Sequence, residues 1–182
     1  TVLNNNAIAI GRIATAGAAD TVAIGSGANA FATNAIAQGN TAIASGASAI
    51  AIGSGAQATA TNAISIGTRN VVSGANSGAL GDPSYISGSG TYTVGNDNGT
   101  KAAPIAANNA GAFGNNNLMN ASASGSRIVG NTNNIQSANA MVMGNNITVG
   151  TGLDGAVALG NNTTVAASAP TSSATVGNTT YG

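Results

Sequence analysis

The chain has no cysteine, histidine, tryptophan or glutamate, and its 182 residues carry only four Lys or Arg and four Asp. Each absence removes a class of function. Without Cys there is no disulfide framework, thiolate nucleophile or sulfur ligand. Four scattered acids (Asp20, Asp82, Asp97, Asp154) without His or Glu offer no general acid–base pair, activated nucleophile or metal cluster. The chain is therefore expected not to be an enzyme and to need no metal or cofactor. Arg12, Arg69, Lys101 and Arg127 balance the acids, and zero net charge without a basic cluster argues against nucleic acid. No apolar run reaches the roughly eighteen residues of a membrane-crossing helix, so no direct membrane contact is expected. No basic segment followed by an apolar one opens the sequence, as expected of a mature protein or an internal segment. Leu, Ile, Val and Phe number 33 of 182, below the usual floor for a packed core. Such scarcity signals disorder chiefly when net charge is high, and here it is zero.

Order comes from repetition. Asn34-Ala-Ile-Ala-Gln-Gly39, Ser48-Ala-Ile-Ala-Ile-Gly53 and Asn62-Ala-Ile-Ser-Ile-Gly67 are one phrase whose closing glycines lie fourteen residues apart. The same ruler reaches Gly11, Gly25, Gly81 and Gly95. Beyond it come Gly114, Gly130, Gly144, Gly160 and Gly177, at gaps of 19, 16, 14, 16 and 17. A fixed period of this size predicts a solenoid, with one coil per repeat. The 182 residues read as a single all-β roll, regular over about 6–81, loop-inserted over about 82–138 and regular again over about 139–177.

Within each coil, the residue before the Gly and the one three before it are large and apolar, and the one between is small. That is a period-two strand. By size, the large set is expected to fill the coil interior: Ile8, Ile10, Val22, Ile24, Ile36, Ile50, Ile52, Ile64, Ile66, Met141, Met143, Val157 and Leu159. The small set (Ala9, Ala23, Ala37, Ala51, Ser65, Ala79) is then expected to meet a neighbouring chain, because Ala lets backbones approach closely. After the Gly comes a turn, then a second short alternation such as Ala28 and Ala30 or Ile147 and Val149, then an Asn turn. Nothing is left over for a helix. Eleven or twelve coils at about 4.8 Å each would make a rod of about 50–60 Å.

Departures from the period are candidate contact points. Extra residues must leave a solenoid as loops, and the longest insertion lies near 96–109. These loops read as tolerated surface variation, with a partner-contact patch of Tyr85, Tyr92 and Lys101 as the alternative. Arg127 stands where other coils place Ile, Val or Met. Either a register shift turns it outward, or it is buried near a symmetry axis and binds an anion. The Asn runs at 115–117, 145–146 and 161–162 read as turns, with stacked ladders as the alternative.

The repeated Asn-x-Ile-Ala-Ile-Gly phrase at Asn6–Gly11, Asp20–Gly25, Asn34–Gly39, Ser48–Gly53, Asn62–Gly67, Asn139–Gly144 and Asp154–Gly160 resembles the head of YadA-like trimeric autotransporter adhesins. The resemblance implies a left-handed parallel β-roll assembled as a homotrimer. It implies a place on the bacterial cell surface, with anchoring in the outer membrane through a C-terminal region not present in this chain. It further implies attachment to host extracellular matrix proteins or cells, and cell–cell aggregation. A non-binding spacer in a surface fibre is the alternative. An ice-binding solenoid would need a constant Thr row, whereas the slot four before the Gly reads Ala7, Thr21, Ala35, Ala49, Ala63, Ser77.

Overall fold

Alternation closed by a Gly turn gives one three-residue strand and one two-residue strand in each regular period. A computed structural model describes residues 1–2, 5–167, 174–176 and 179–181. The three-residue strands, from Ile8–Ile10 through Ile50–Ile52 and Arg127–Val129 to Val157–Leu159, stack into one eleven-stranded sheet in sequence order. All its neighbours are parallel, with the repeats in register: Ile50 faces Ile64, Ala51 faces Ser65 and Ile52 faces Ile66. The two-residue strands form a second side, six-stranded from Thr15–Ala16 to Tyr85–Ile86 and three-stranded from Leu118–Met119 to Thr148–Val149. The result is a parallel β-solenoid of about eleven turns. Gly177 lies outside the described residues. Val176 belongs to an antiparallel hairpin, Ala174–Val176 on Thr179–Tyr181, so this last phrase does not add the parallel coil its sequence suggests.

Three turn positions in most coils hold residues at positive φ: five before the Gly, the Gly itself and two after it. In the first of these, Asn6, Asp20, Asn34, Ser48, Asn62, Asn76, Asn109 and Asn139 lie at φ between 51° and 61°. The Asn and Asp side chains suit this region because they bond locally. The repeat glycines are more demanding. Gly25 has φ 126°, and a Cβ there would lie 2.6 Å from the carbonyl oxygen of Gly39 in the next coil. Stacking at one inter-strand distance brings these backbones so close that the column admits only Gly.

The interior is the reverse of the expectation from side-chain size. Ala23, Ala37, Ala51 and Ser65 are fully buried, as are Ala16, Ala30, Ala44 and Ala58 on the facing strands. Every large residue expected inside (Ile8, Ile10, Val22, Ile24, Ile36, Ile50, Ile52, Ile64, Ile66, Met141, Met143, Val157, Leu159) points outward and is exposed or half-buried. The short strands decide which residue faces inward. In the coil from Val22 to Ala35, four residues join the first strand to the second and five lead back. With such short connections each strand sends one side chain into the coil, and in the three-residue strand that is the middle residue. The coil from Arg127 to Ala140 has the same four and five connecting residues and encloses Ile128 and Ile135, and the next encloses Val142 and Val149.

A polar ladder runs through the later interior. The slot three after the Gly is Ala14, Ala28, Ala42 and Ala56 in early coils, then Asn70, Ser84, Asn98, Asn117 and Asn133. All five later side chains are buried. Asn117 Nδ2 donates to Asn98 Oδ1, and Asn133 Nδ2 to Asn117 Oδ1, each at 3.1 Å. The same amides reach the next glycine carbonyls, Asn98 to Gly114 at 2.7 Å, Asn117 to Gly130 at 2.8 Å and Asn133 to Gly144 at 2.9 Å. Each Oδ1 also accepts from the backbone N–H three residues past the next Gly, as Asn133 does from Ile147 at 3.0 Å.

Insertions leave the main ladder untouched. Tyr92–Val94 pairs directly with Gly111–Phe113 although their glycines are nineteen residues apart. The extra residues exit on the second side, turn where Thr100 N–H donates to the Ala103 carbonyl at 2.8 Å, and return as Ile105 bridged to Ile86. A sixteen-residue coil instead absorbs its surplus in a 3₁₀ turn, Ala121–Ala123, capped by Asn120, the one helical segment among the described residues.

Three substitutions test this packing. Gly25→Ala should lose roughly 2–6 kcal/mol through strain and overlap. Gly152→Ala, at φ 78° with nothing within 4 Å, should lose about 1–2 kcal/mol. Asn117→Ala leaves buried partners unsatisfied on both sides and should lose about 2–4 kcal/mol. Thermal or urea unfolding measures all three, and equal effects at Gly25 and Gly152 would contradict the close inter-coil approach.

Candidate interaction surfaces

Because the small residues turn inward, the outer side of the eleven-stranded sheet carries two parallel rows of large side chains. One row runs Ile8, Val22, Ile36, Ile50, Ile64, Gly78, Tyr92, Gly111, Arg127, Met141, Val157. The other runs Ile10, Ile24, Gln38, Ile52, Ile66, Leu80, Val94, Phe113, Val129, Met143, Leu159. Exposure reaches 59% at Ile10, 57% at Phe113 and 61% at Leu159. Eleven strands at about 4.8 Å make this an apolar strip of about 50 Å. Scattered exposed hydrophobics need no explanation, but a continuous strip of this length marks an interaction surface.

The strip is keyed by size. Gly78 and Gly111 interrupt its first row, and the residues stacked on them are the two bulkiest. A Cβ on Gly78 would lie 2.8 Å from the Tyr92 ring, and one on Gly111 would lie 3.3 Å from Arg127 Cδ. A shallow apolar depression of about 270 Å³ opens beside Gly78, floored by Ala79 and Thr93 and walled by Ile64, Ile66, Leu80, Tyr92 and Val94. Arg127 keeps the sheet register, so no shift turns it out. It lies on the exposed face, and its guanidinium donates to the carbonyls of Gly125 and Ser126, at 3.1 and 3.0 Å, and to that of Asn109. The buried anion site considered for it is not formed within the chain.

The expected patch of Tyr85, Tyr92 and Lys101 divides between the two sides. Tyr92 belongs to the apolar strip. Tyr85 and Lys101 meet on the second side, in a cleft of about 470 Å³ with Gly55, Gln57, Arg69, Val71, Ser73, Ile86, Ser87 and Pro104. Gln57, Val71 and Tyr85 come from successive registered strands, which form its floor. The 99–104 loop forms its wall, tied down by Gly99 N–H to the Asn117 carbonyl and Ile105 N–H to the Tyr85 carbonyl, each at 2.8 Å. Arg69 was not singled out in the sequence. The available signal was an arginine two after the Gly, a turn slot that Gly27 and Gly55 occupy in neighbouring coils.

Asparagines line the turn edge in both of the ways considered. Asn116, Asn146 and Asn162 hold the positive-φ turn, at 55–56°. Asn131 donates to Asn145 at 2.9 Å, Asn145 to Asn161 at 2.8 Å and Asn146 to Asn162 at 2.7 Å, coil to coil. Among the described residues no group of three His, Cys, Asp or Glu could hold a metal, and no helix is long and apolar enough to cross a membrane. No family model and no curated protein matches the chain.

The inside–outside assignment predicts opposite results at adjacent residues. Ala112→Asp buries an unpaired charge and should abolish folding. Phe113→Asp, on the exposed row, should leave the β-rich circular dichroism spectrum of the chain in place. Loss of the spectrum in both variants would contradict the assignment.

Proposed function

We propose that this chain is the head of a bacterial surface fibre, assembled as a homotrimer, that attaches cells to extracellular matrix and to one another. The continuous apolar strip carries this reading. Eleven of the large hydrophobics exposed among the described residues lie on it, in a chain whose charged residues amount to 4%. Water contact along such a strip is unfavourable by about 25 cal/mol per Å². Other copies of the same chain are the simplest cover, since identical coils present identical 4.8 Å spacing and let rows interdigitate strand for strand. A three-fold arrangement and left-handed coils follow from the resemblance to YadA-like heads, and so does the surface location, with the outer-membrane anchor in a region outside this chain.

In this arrangement the apolar strips converge and the second sides face solvent. Each surface row is then displayed three times along a rigid rod. Weak contacts to an extended matrix fibre add through effective concentration, without a deep pocket or any chemistry. The near-absence of acids, bases and nucleophiles suits a protein that acts by contact.

The test compares the intact chain with a Leu80→Asp, Phe113→Asp variant on surfaces coated with collagen, fibronectin or laminin. The intact chain should be retained on at least one surface, and the variant, its strip broken by charge, about 100-fold less well. Retention on none of the surfaces would favour a spacer. Equal retention of both forms would remove the multivalent mechanism.

A further inference from the structure

We infer that the cleft on the second side, between the Tyr85 strand and the 99–104 loop, is a binding site for an acidic oligosaccharide bearing sulfate or carboxylate groups. Two of the chain's four cations, Arg69 and Lys101, line this single cleft, and no acidic residue does. Among the described residues neither side chain has a hydrogen-bond or ion-pair partner in the protein, in contrast to Arg127, which is engaged by turn carbonyls. Two free cations of one sign, facing the same concavity in a chain almost devoid of charge, are a place for an anion.

The rest of the cleft selects the kind of anion. Its size, about 470 Å³, suits two or three sugar rings rather than a bare ion. Tyr85 and Pro104 offer flat apolar surfaces on which the C–H face of a sugar ring can lie, and the Gln57 amide can both donate to and accept from hydroxyls. An acidic peptide is a poorer match. Peptides usually add to a free sheet edge or sink side chains into pockets. Here the last strand of the six-stranded sheet, Tyr85–Ile86, is already bridged by Ile105, and the cleft is broad and open. The loop is also held in place rather than hanging over the site, since its two ends are bonded to the Asn117 and Tyr85 carbonyls. Lys101 therefore stands on an anchored wall opposite Arg69, which lowers the ordering cost of binding.

The site rests on the adhesin reading for its biological sense but not for its existence, and the experiments separate the two. Isothermal titration of the full chain would use a sulfated tetrasaccharide, an uncharged tetrasaccharide, inorganic sulfate and an Asp-rich peptide. The sulfated sugar should bind saturably and at least tenfold more tightly than each of the other three. Arg69→Gln and Lys101→Gln should each weaken it about tenfold or more, Tyr85→Phe should retain it, and Arg127→Gln, on the opposite side, should change nothing. Affinity should fall as salt is raised from 50 to 300 mM. Absence of saturable binding, equal binding of the uncharged sugar, tighter binding of the peptide, or equal loss with Arg127→Gln would each overturn the proposal. Binding of the sugar without retention on matrix would uphold the site and remove the adhesin reading. Matrix retention without sugar binding would do the reverse.

Discussion

The inward turn of a single side chain from each short strand is the constraint from which the other features follow. Connections of four and five residues hold the two strands of a coil back to back, and one side chain from each strand lies between them. Alanine fills this space in the early coils, where burial of Ala23, Ala37 and Ala51 is complete, and Ile128 with Ile135 fills it in a later coil of the same connection lengths. The large aliphatics of the same strands are then forced outward. What would be a core in another fold becomes an apolar strip about 50 Å long. Glycine at the coil corner is part of the same geometry, since adjacent corners approach within what any Cβ would occupy.

An interior of one side chain per strand leaves little hydrophobic burial per coil, and hydrogen bonding supplies much of the cohesion. Every main-sheet strand donates to and accepts from its neighbours along the stack. In the later coils, where Asn replaces Ala, the buried amides of Asn98, Asn117 and Asn133 add a second ladder inside the first. Each of these side chains satisfies its donor and acceptor within the stack, the condition under which a buried polar group is not a liability. A third ladder, Asn131–Asn145–Asn161, runs along the turn edge. Thr93 Oγ1 alone among buried side-chain polar atoms of the described residues has no partner.

Much of this was legible in the sequence. The glycine ruler located all eleven main strands, and the Asn slot located the left-handed turns. The phrase around Tyr92 and Phe113 survived a nineteen-residue gap because backbone pairing depends on strand register and not on loop length. Two things were not legible. Hydropathy says that Ile50 and Ile52 should be covered but not by what, so coil interior and partner face could be exchanged without altering the pattern. Interior ladders were hidden because Asn suggests turns; only its position three after the Gly, in line with Ala14 and Ala28, separates Asn117 from its neighbour Asn116. Val176 shows the converse, a repeat-like residue whose strand pairs antiparallel with Thr179–Tyr181.

On the reading proposed above, other copies of the chain cover the large aliphatics that lie outside, and the mass in solution reports this directly. Multi-angle light scattering on the intact chain should give a single species at three chain masses that stays assembled on dilution. A stable, monodisperse single chain would mean that the exposed strip tolerates water unaided, and would contradict the account.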